Sequence, residues 1–251
     1  MIKGPVNGSP DWVEYRCGLV TASRFGDILT PPKTKEAKAA GLMSTTAESY
    51  LMEVVTSAFT RKPAVGGKSA AMIRGNDLEM DAGEAYAKHR ASDFVQVNQG
   101  HIWTKDGTII AASLDFEVED DDEGPGIVEC KCPDQKTHLG YWLQFWERQE
   151  AGLPHVPPDD YLEQIQGQLW VTERAWCDFV SFDNRFPKPM QLLTFRVYRD
   201  DAVIDRLALE VPKFADAVQR RLARVKELAR TLGPLEEERL IHNLLEISDE
   251  E

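Results

Sequence analysis

The sequence predicts an α/β domain: a central mixed β-sheet flanked by helices, with a C-terminal helical extension. Three observations carry this prediction. Apolar residues recur at helical spacing through the first third of the chain. The period drops to two between residues 94 and 132. Helical spacing then returns at 161–174, ahead of two short apolar runs.

The first helix start is Thr21-Ala22-Ser23, just before Phe25, Ile28 and Leu29, and a second helix is predicted around Ser44 to Ala58. A Gly- and Lys-containing loop, Arg61 to Lys68, leads to Gly75-Asn76, which opens a third helix. Its stripe is Leu78, Ala82, Ala85, Tyr86 and His89, which leaves Glu79 at the margin of the buried face. Residues 94–104 and 108–118 read as strands joined at Asp106-Gly107, a hairpin signal. Alternation puts Ile110, Ala112, Leu114, Phe116 and Val118 on one face and Ser113, Asp115 and Glu117 on the other. In a third strand, Ile127 to Cys132, the residues Val128, Cys130 and Cys132 turn to the core and Glu129 and Lys131 turn away. Ser113/Asp115 and Glu129/Lys131 are therefore expected to share a cleft. Tyr161 to Arg174 is an amphipathic helix with Tyr161, Gln164 and Gln168 on one flank. Strands follow at 176–183 and 191–199, and Phe214, Val218, Leu222, Val225 and Leu228 make the tail amphipathic. This tail is expected to pack on the body or on a neighbouring subunit. Residues 1–200 read as one domain and 201–251 as a helical extension with an acidic end, in the same globular unit.

At 251 residues, with 42% hydrophobic and 28% charged, the chain is long enough for a substantial core, and collagen-like, coiled-coil and wholly disordered classes are excluded. No apolar run reaches membrane-span length, and Met1-Ile2-Lys3-Gly4-Pro5 lacks the apolar core of a secretion signal. The expectation is a cytoplasmic protein, without membrane contact, whose four cysteines are reduced. The formal charge of −13 is unevenly spread: Asp115–Gly124 and Gly233–Glu251 each hold seven acids, while Lys213–Arg230 holds six bases against two acids. An acidic total therefore leaves room for a nucleic-acid partner on a local basic surface.

Asp115 and, fourteen residues later, Glu129-Cys130-Lys131 on the adjacent strand are the strongest chemical signal. Two carboxylates about 4 Å apart repel by roughly 4 kcal/mol at an effective dielectric near 20, so a cation between them is implied. Hard oxygen donors with positions left for water suit Mg²⁺, with Mn²⁺ as a substitute. Asp115, Glu129 and the Cys130 backbone carbonyl are the candidate ligands. Lys131 is placed to orient a water and offset charge, and Glu79 to hold a water from the helix side. The chemistry implied is metal-dependent phosphodiester hydrolysis.

Ser113-Leu114-Asp115 followed by Glu129-Cys130-Lys131 resembles the core of the PD-(D/E)xK nucleases, with Leu114 in place of Pro. More narrowly, the chain is similar to the lambda-phage-type (viral recombinase, YqaJ-like) alkaline exonucleases. Further matching blocks lie in order: Trp12-x-x-x-Arg16 leading to Thr21-Ala22-Ser23, Arg74-Gly75-x-x-x-Glu79, and Tyr161-x-x-Gln164-x-Gln166 leading to Leu169-Trp170-Val171-Thr172. The resemblance spans about residues 10–185. It implies a restriction-endonuclease-like core and processive 5′-to-3′ degradation of one strand of linear double-stranded DNA. It also implies a ring-shaped homotrimer in a bacterial or phage-infected cell, working with a single-strand annealing protein. Asp115, Glu129 and Lys131 would take the metal and catalytic roles with Glu79 in support. Arg16, Ser23, Ser113 and Gln164 would bind the terminal 5′-phosphate, with Tyr161 beside them on the DNA. Competing readings are an end-independent endonuclease or CRISPR-associated-type nuclease on the same fold, and a non-catalytic DNA-end-binding scaffold.

Blander roles stand beside these. Arg16 could form a surface ion pair, Ser23 a helix cap, and Gln164, Gln168 and Tyr161 an ordinary polar helix face. A zinc site at Cys130, Cys132 and His138 is disfavoured because alternation turns both thiols inward, and an iron–sulfur cluster because CxC does not supply four convergent thiols. The acidic run Glu119–Glu123 lacks a calcium-loop pattern and is expected to be a solvated hairpin loop. Tyr141, Trp142, Phe145 and Trp146 are expected in the core.

Overall fold

The computed structural model describes residues 1–64, 70–90 and 97–233. Residues 94–96 of the first predicted strand, residues 65–68 of the Gly- and Lys-containing loop and the acidic run from 234 to 251 lie outside the described residues. The chain opens with β1 (Ile2–Val6), α1 (Pro10–Tyr15) and β2 (Val20–Thr21). A 3₁₀ turn at Ala22–Arg24 leads into α2 (Phe25–Leu29), followed by α3 (Lys35–Ala39), α4 (Thr45–Thr60) and α5 (Ala70–Arg90). The middle holds β3 (Val97–Gln99), β4 (His101–Thr104), β5 (Ile110–Ser113), β6 (Phe116–Val118) and β7 (Gly126–Lys131). Then come α6 (Gln135–Glu150), α7 (Asp159–Thr172), β8 (Trp176–Phe182), β9 (Leu192–Tyr198) and α8 (Asp201–Leu232). The helix predicted around Ser44 to Ala58 is α4, and Ser44 caps it, its hydroxyl accepting from the Ala47 N–H. Helix α5 begins at Ala70, not at Gly75 as the sequence suggested.

Two mixed sheets replace the single one expected. The first has the order β1-β4-β5-β2, and the second β3-β6-β7-β8-β9 with β7 and β8 parallel. The predicted hairpin is the link between them, because each of its strands breaks in the middle. Gly100 separates β3 from β4, and Leu114-Asp115 separates β5 from β6. Pairing continues through the break: Gly100 N–H donates to the Asp115 carbonyl (2.9 Å) and Leu114 N–H to the His101 carbonyl (3.1 Å). A Cβ at position 100 would collide with the Leu114 carbonyl oxygen, so only glycine permits this close approach.

The break divides the apolar row predicted for 110–118. Ile110, Ala112 and Leu114 enter a core built with Val20, Phe25, Leu51, Ile165, Leu169, Phe179 and Leu207. Phe116 and Val118 join a second core beneath α5, with Leu78, Ala82, Tyr86, Val128, Cys130, Cys132, Trp176 and Val180. The second sheet is thus covered by α5 on one face and by α7 and its neighbours on the other. Glu117 is also diverted. It is buried and accepts from Lys3 Nζ (3.2 Å), His101 N–H, Trp103 Nε1 and Arg174 (3.0 Å each), pinning the bend instead of sharing a polar face with Ser113 and Asp115.

Three other expectations change. Trp146 is exposed on α6 while Tyr141 and Phe145 pack toward Phe179 and Phe195, so the aromatic run is only partly core. The acidic loop is not simply solvated: Asp121 is held by Arg90 (2.6 Å) and Arg196 (3.1 Å), and Glu119 by Arg174 (2.6 Å). The tail does pack on the body. Ile204, Leu207, Val211, Phe214 and Val218 are buried, and the Phe214 ring stacks on Tyr50 of α4 at 5.3 Å; Leu228, farther along α8, is exposed. Among the described residues no helix is long and apolar enough to cross a membrane.

Candidate active site

Asp115 sits at the break between β5 and β6, where the chain passes from one sheet to the other, and its Oδ2 accepts from the Cys130 N–H at 2.8 Å. That bond joins the two predicted catalytic segments directly. Strand β7 alternates as expected: Cys130 enters the core under α5, while Glu129 and Lys131 face α7. Glu129 is 2% exposed and accepts three hydrogen bonds, from Lys131 Nζ and Gln164 Nε2 (2.5 Å) on Oε1 and from Gln168 Nε2 (2.6 Å) on Oε2, which leaves acceptor capacity on Oε2. Lys131 Nζ also lies over the Tyr161 ring, 4.7 Å from its centroid, a favourable cation–π position. The i, i+3 and i+4 spacing of α7 therefore delivers Tyr161, Gln164 and Gln168 to one carboxylate and its lysine.

Three carboxylates, Asp115, Glu129 and Glu79, surround one ammonium. Burial raises the Asp115 carboxyl well above the usual carboxylate range. Glu129 and Glu79 push it further up, against the pull of Lys131 and the Cys130 N–H. Glu79 is raised as well, by burial and then by Glu129, with Lys131 opposing. Burial would lower the Lys131 ammonium, but Glu129 and Asp115 outweigh it and hold its pKa above the ordinary lysine value. The cluster is short of positive charge.

The donor set fits a hard divalent cation. Asp115 keeps one oxygen clear of its backbone bond, Glu129 and the Cys130 carbonyl are adjacent on β7, and a second positive charge would relieve the pressure on Asp115. Among the described residues no three His, Cys, Asp or Glu side chains form a group able to hold a metal by themselves; a cation here would need the Cys130 carbonyl and water or substrate oxygens beside Asp115 and Glu129. Next to this cluster the buried Gln168 Oε1 has no hydrogen-bond partner among the described residues.

The residues expected at a terminal phosphate divide into three places. Arg16 lies with Ser23 (3.3 Å to Oγ) and Thr21 (3.1 Å to Oγ1), its guanidinium over the Trp12 ring and its Nε buried without a partner. Burial lowers the Arg16 pKa, and among the described residues no carboxylate is paired with it. Ser113 stands one step away: Trp12 Nε1 donates to its Oγ at 2.9 Å, and its backbone carbonyl accepts from Gln168 at 3.2 Å. Gln164 is on Glu129 rather than with Arg16, and Tyr161 is under Lys131. Trp12 and Gln168 thus connect the arginine pocket to the carboxylates. Gly167 makes this possible, since a Cβ there would run into the Phe25 ring and push α7 off the turn that carries Ser23.

Sequence reasoning missed Gln168, Trp12 and Asn7 as members of the site. Gln168 was placed by its spacing on the flank with Tyr161 and Gln164 but was given no role. Trp12 was part of a matched block without a role. Asn7 had no signal, because its position depends on where β1 ends against the hairpin break.

A family model for the YqaJ-like viral recombinase domain matches residues 11–175. Among solved structures, LHK-Exo in complex with dAMP is 30% identical, with a TM-score of 0.68, covering 90% of this chain and 100% of that one. The alkaline exonuclease LHK-Exo from Laribacter hongkongensis gives the same values in a second structure. A phage-related exonuclease from Haemophilus somnus 129PT is 20% identical, with a TM-score of 0.60 over 82% of this chain and 96% of that one, a likeness of fold. No curated protein matches the chain. With the family model spanning well over half of its length, the chain belongs to the YqaJ-like viral recombinase family.

Proposed function

We propose that this protein degrades one strand of linear double-stranded DNA from its 5′ end, processively, and leaves 3′ single-stranded overhangs for strand annealing. The observation that carries this reading is the cation-deficient cluster of Asp115, Glu129 and Glu79 around Lys131, linked through Ser113 and Trp12 to Arg16, which has no carboxylate partner among the described residues. Family membership supports exonuclease chemistry.

In this reading Asp115, Glu129 and the Cys130 carbonyl hold Mg²⁺, or Mn²⁺ in its place. The bound ion supplies positive charge to the scissile phosphate and favours ionisation of an attacking water. Lys131, already held at full charge, faces the same phosphate and offsets its growing negative charge, while Tyr161 fixes the direction of the ammonium. Gln164 and Gln168 hold Glu129 in one rotamer. Glu79 accepts a proton from a water on the helix side. Arg16, with Ser23, Thr21 and Ser113, receives the terminal 5′-phosphate, the guanidinium offering a paired-donor face. Residues 1–200 form the nuclease domain and α8 with the acidic run its extension. We further read the working form as a ring-shaped homotrimer in the cytoplasm of a bacterial or phage-infected cell, acting with a single-strand annealing protein.

The test is a time course on linear duplex DNA with a 5′-phosphate on one strand only and each strand separately labelled, in Mg²⁺ and in EDTA, beside a closed circle. Shortening of the phosphorylated strand alone, only with Mg²⁺ and with the circle intact, is the expected result. Cutting of the circle would replace the end-dependent reading with an endonuclease.

A further inference from the structure

We infer that Asn7 is a positioning residue that couples occupancy of the 5′-phosphate pocket to the placement of Glu79; this rests on the exonuclease reading above. Three side-chain hydrogen bonds form an unbroken line: Trp12 Nε1 to Ser113 Oγ at 2.9 Å, Ser113 Oγ to Asn7 Oδ1 at 3.2 Å, and Asn7 Nδ2 to Glu79 Oε1 at 3.5 Å. At one end Trp12 carries the Arg16 guanidinium on its ring; at the other, Glu79 faces the catalytic carboxylates.

The line has a fixed polarity. Ser113 accepts from the indole and gives its single proton to Asn7, so the hydroxyl cannot donate to a phosphate without releasing the amide. Asn7 must accept from Ser113 and donate to Glu79 at the same time, which an amide does and a carboxylate or an aliphatic side chain does not. A neutral donor also holds Glu79 toward two other carboxylates without supplying charge that would compete for a cation. The Asn7 backbone is tied on both sides of its peptide unit, its N–H to the Gly100 carbonyl (2.9 Å) and its carbonyl to Gln99 Nε2 (3.1 Å). Asn7 is therefore anchored on the hairpin break that also positions Asp115. It lies before the segment the family model matches.

Arrival of a terminal phosphate draws the Ser113 proton away from Asn7 and frees the amide to close on Glu79 from its present long bond. Hydroxyl ends leave the line as it stands. Cleavage rate, and not only affinity, then depends on the end group.

The experiment compares wild type, Asn7→Asp and Asn7→Ala on linear duplex with 5′-phosphate or 5′-hydroxyl ends in Mg²⁺, with binding to the phosphorylated duplex measured separately in EDTA. Asn7→Asp keeps the shape and the acceptor for Ser113 but puts a negative charge where the donor to Glu79 was, so it breaks the line at Glu79 and serves beside Asn7→Ala if the alanine variant lowers the melting temperature. We expect kcat on phosphorylated ends to fall by about 10- to 100-fold. KM and EDTA binding should stay within about twofold, and the phosphate-to-hydroxyl kcat ratio should drop toward one. In a Glu79→Gln background, Asn7→Asp should cost less than about threefold, because the line acts through Glu79. An unchanged ratio, a loss confined to KM or binding, or full additivity with Glu79→Gln overturns the coupling. Wild type that digests both ends equally overturns it too, while wild type that digests no linear duplex at all removes the exonuclease reading and the coupling with it.

Discussion

The two faces of the second sheet bury carboxylates in opposite ways. Toward α7, Asp115 and Glu129 share one lysine with Glu79, which reaches them from α5, and Asp115 is driven up out of the usual carboxylate range. Toward α5, Asp178 and Asp121 meet two arginines. Arg90 lies 2.8 Å from Asp178 and 2.6 Å from Asp121, Arg196 lies 2.9 and 3.1 Å from the same two, and Tyr86 donates to Asp178 at 2.6 Å. Burial there would raise the Asp121 carboxyl, but Arg196, the Glu123 N–H and Arg90 hold it far below its ordinary value. One cluster is compensated within the chain and serves the fold. The other lacks positive charge and is fitted to take it from outside. Residue type does not separate them, since aspartate and a basic partner occur in both; the ratio of anions to cations does.

The largest effect expected is on catalysis. Asp115→Ala, Glu129→Ala and Lys131→Ala should each reduce cleavage of linear duplex by at least about 10³-fold, while far-UV circular dichroism stays native. Asp115→Asn should leave the metal-free melting temperature unchanged or raise it, because a strained charge is removed. The compensated cluster should answer the other way: Arg196→Ala leaves two buried carboxylates short of a partner and should cost about 3–5 kcal/mol in urea unfolding, with kcat preserved where the protein is folded. Equal loss of stability at both clusters would break the comparison.

Added cation sharpens it. At pH 8, Mg²⁺ at a hundred times its dissociation constant should stabilise wild type by about 2.7 kcal/mol and leave Asp115→Asn nearly unmoved, as read by the melting temperature. Acid separates the clusters in sign. The Asp121 pKa is depressed on folding, so its contribution is present above the unfolded value of about 3.9 and is lost as pH falls through the folded value. The Asp115 pKa is raised, so the metal-free fold loses stability as pH climbs from that same unfolded value toward the folded one. Melting temperatures from pH 3 to 8 in EDTA should show Asp121→Asn flattening the acid limb and Asp115→Asn flattening the neutral limb. The smallest effect is at Arg16, where Arg16→Ala should lower the preference for a 5′-phosphate by about tenfold in relative kcat/KM, roughly one charged hydrogen bond.

The sequence by itself determined the elements that rest on local period and turn chemistry. The α4 cap at Ser44, the Asp106-Gly107 hairpin, the alternation of β7 and the amphipathic face of α7 all follow from spacing that neighbours in the chain enforce. That alternation was enough to put Glu129 and Lys131 on one face, because a period of two sends every second residue the same way, while Asp115 reaches them from the break between β5 and β6. Only the tertiary structure decided the rest. A hairpin period cannot reveal that both strands break opposite one another at Gly100 and Asp115, since the break depends on backbone packed against backbone across the sheet. It is this break that sent Glu117 to Arg174, gave Phe116 and Val118 a second core, and put Asn7 between Ser113 and Glu79. The acidic loop teaches the same lesson, for its charges read as solvated until Arg90 and Arg196 arrive from α5 and β9. Partners distant in sequence set the balance of charge around each carboxylate, and that balance gave one cluster to the fold and the other to the site.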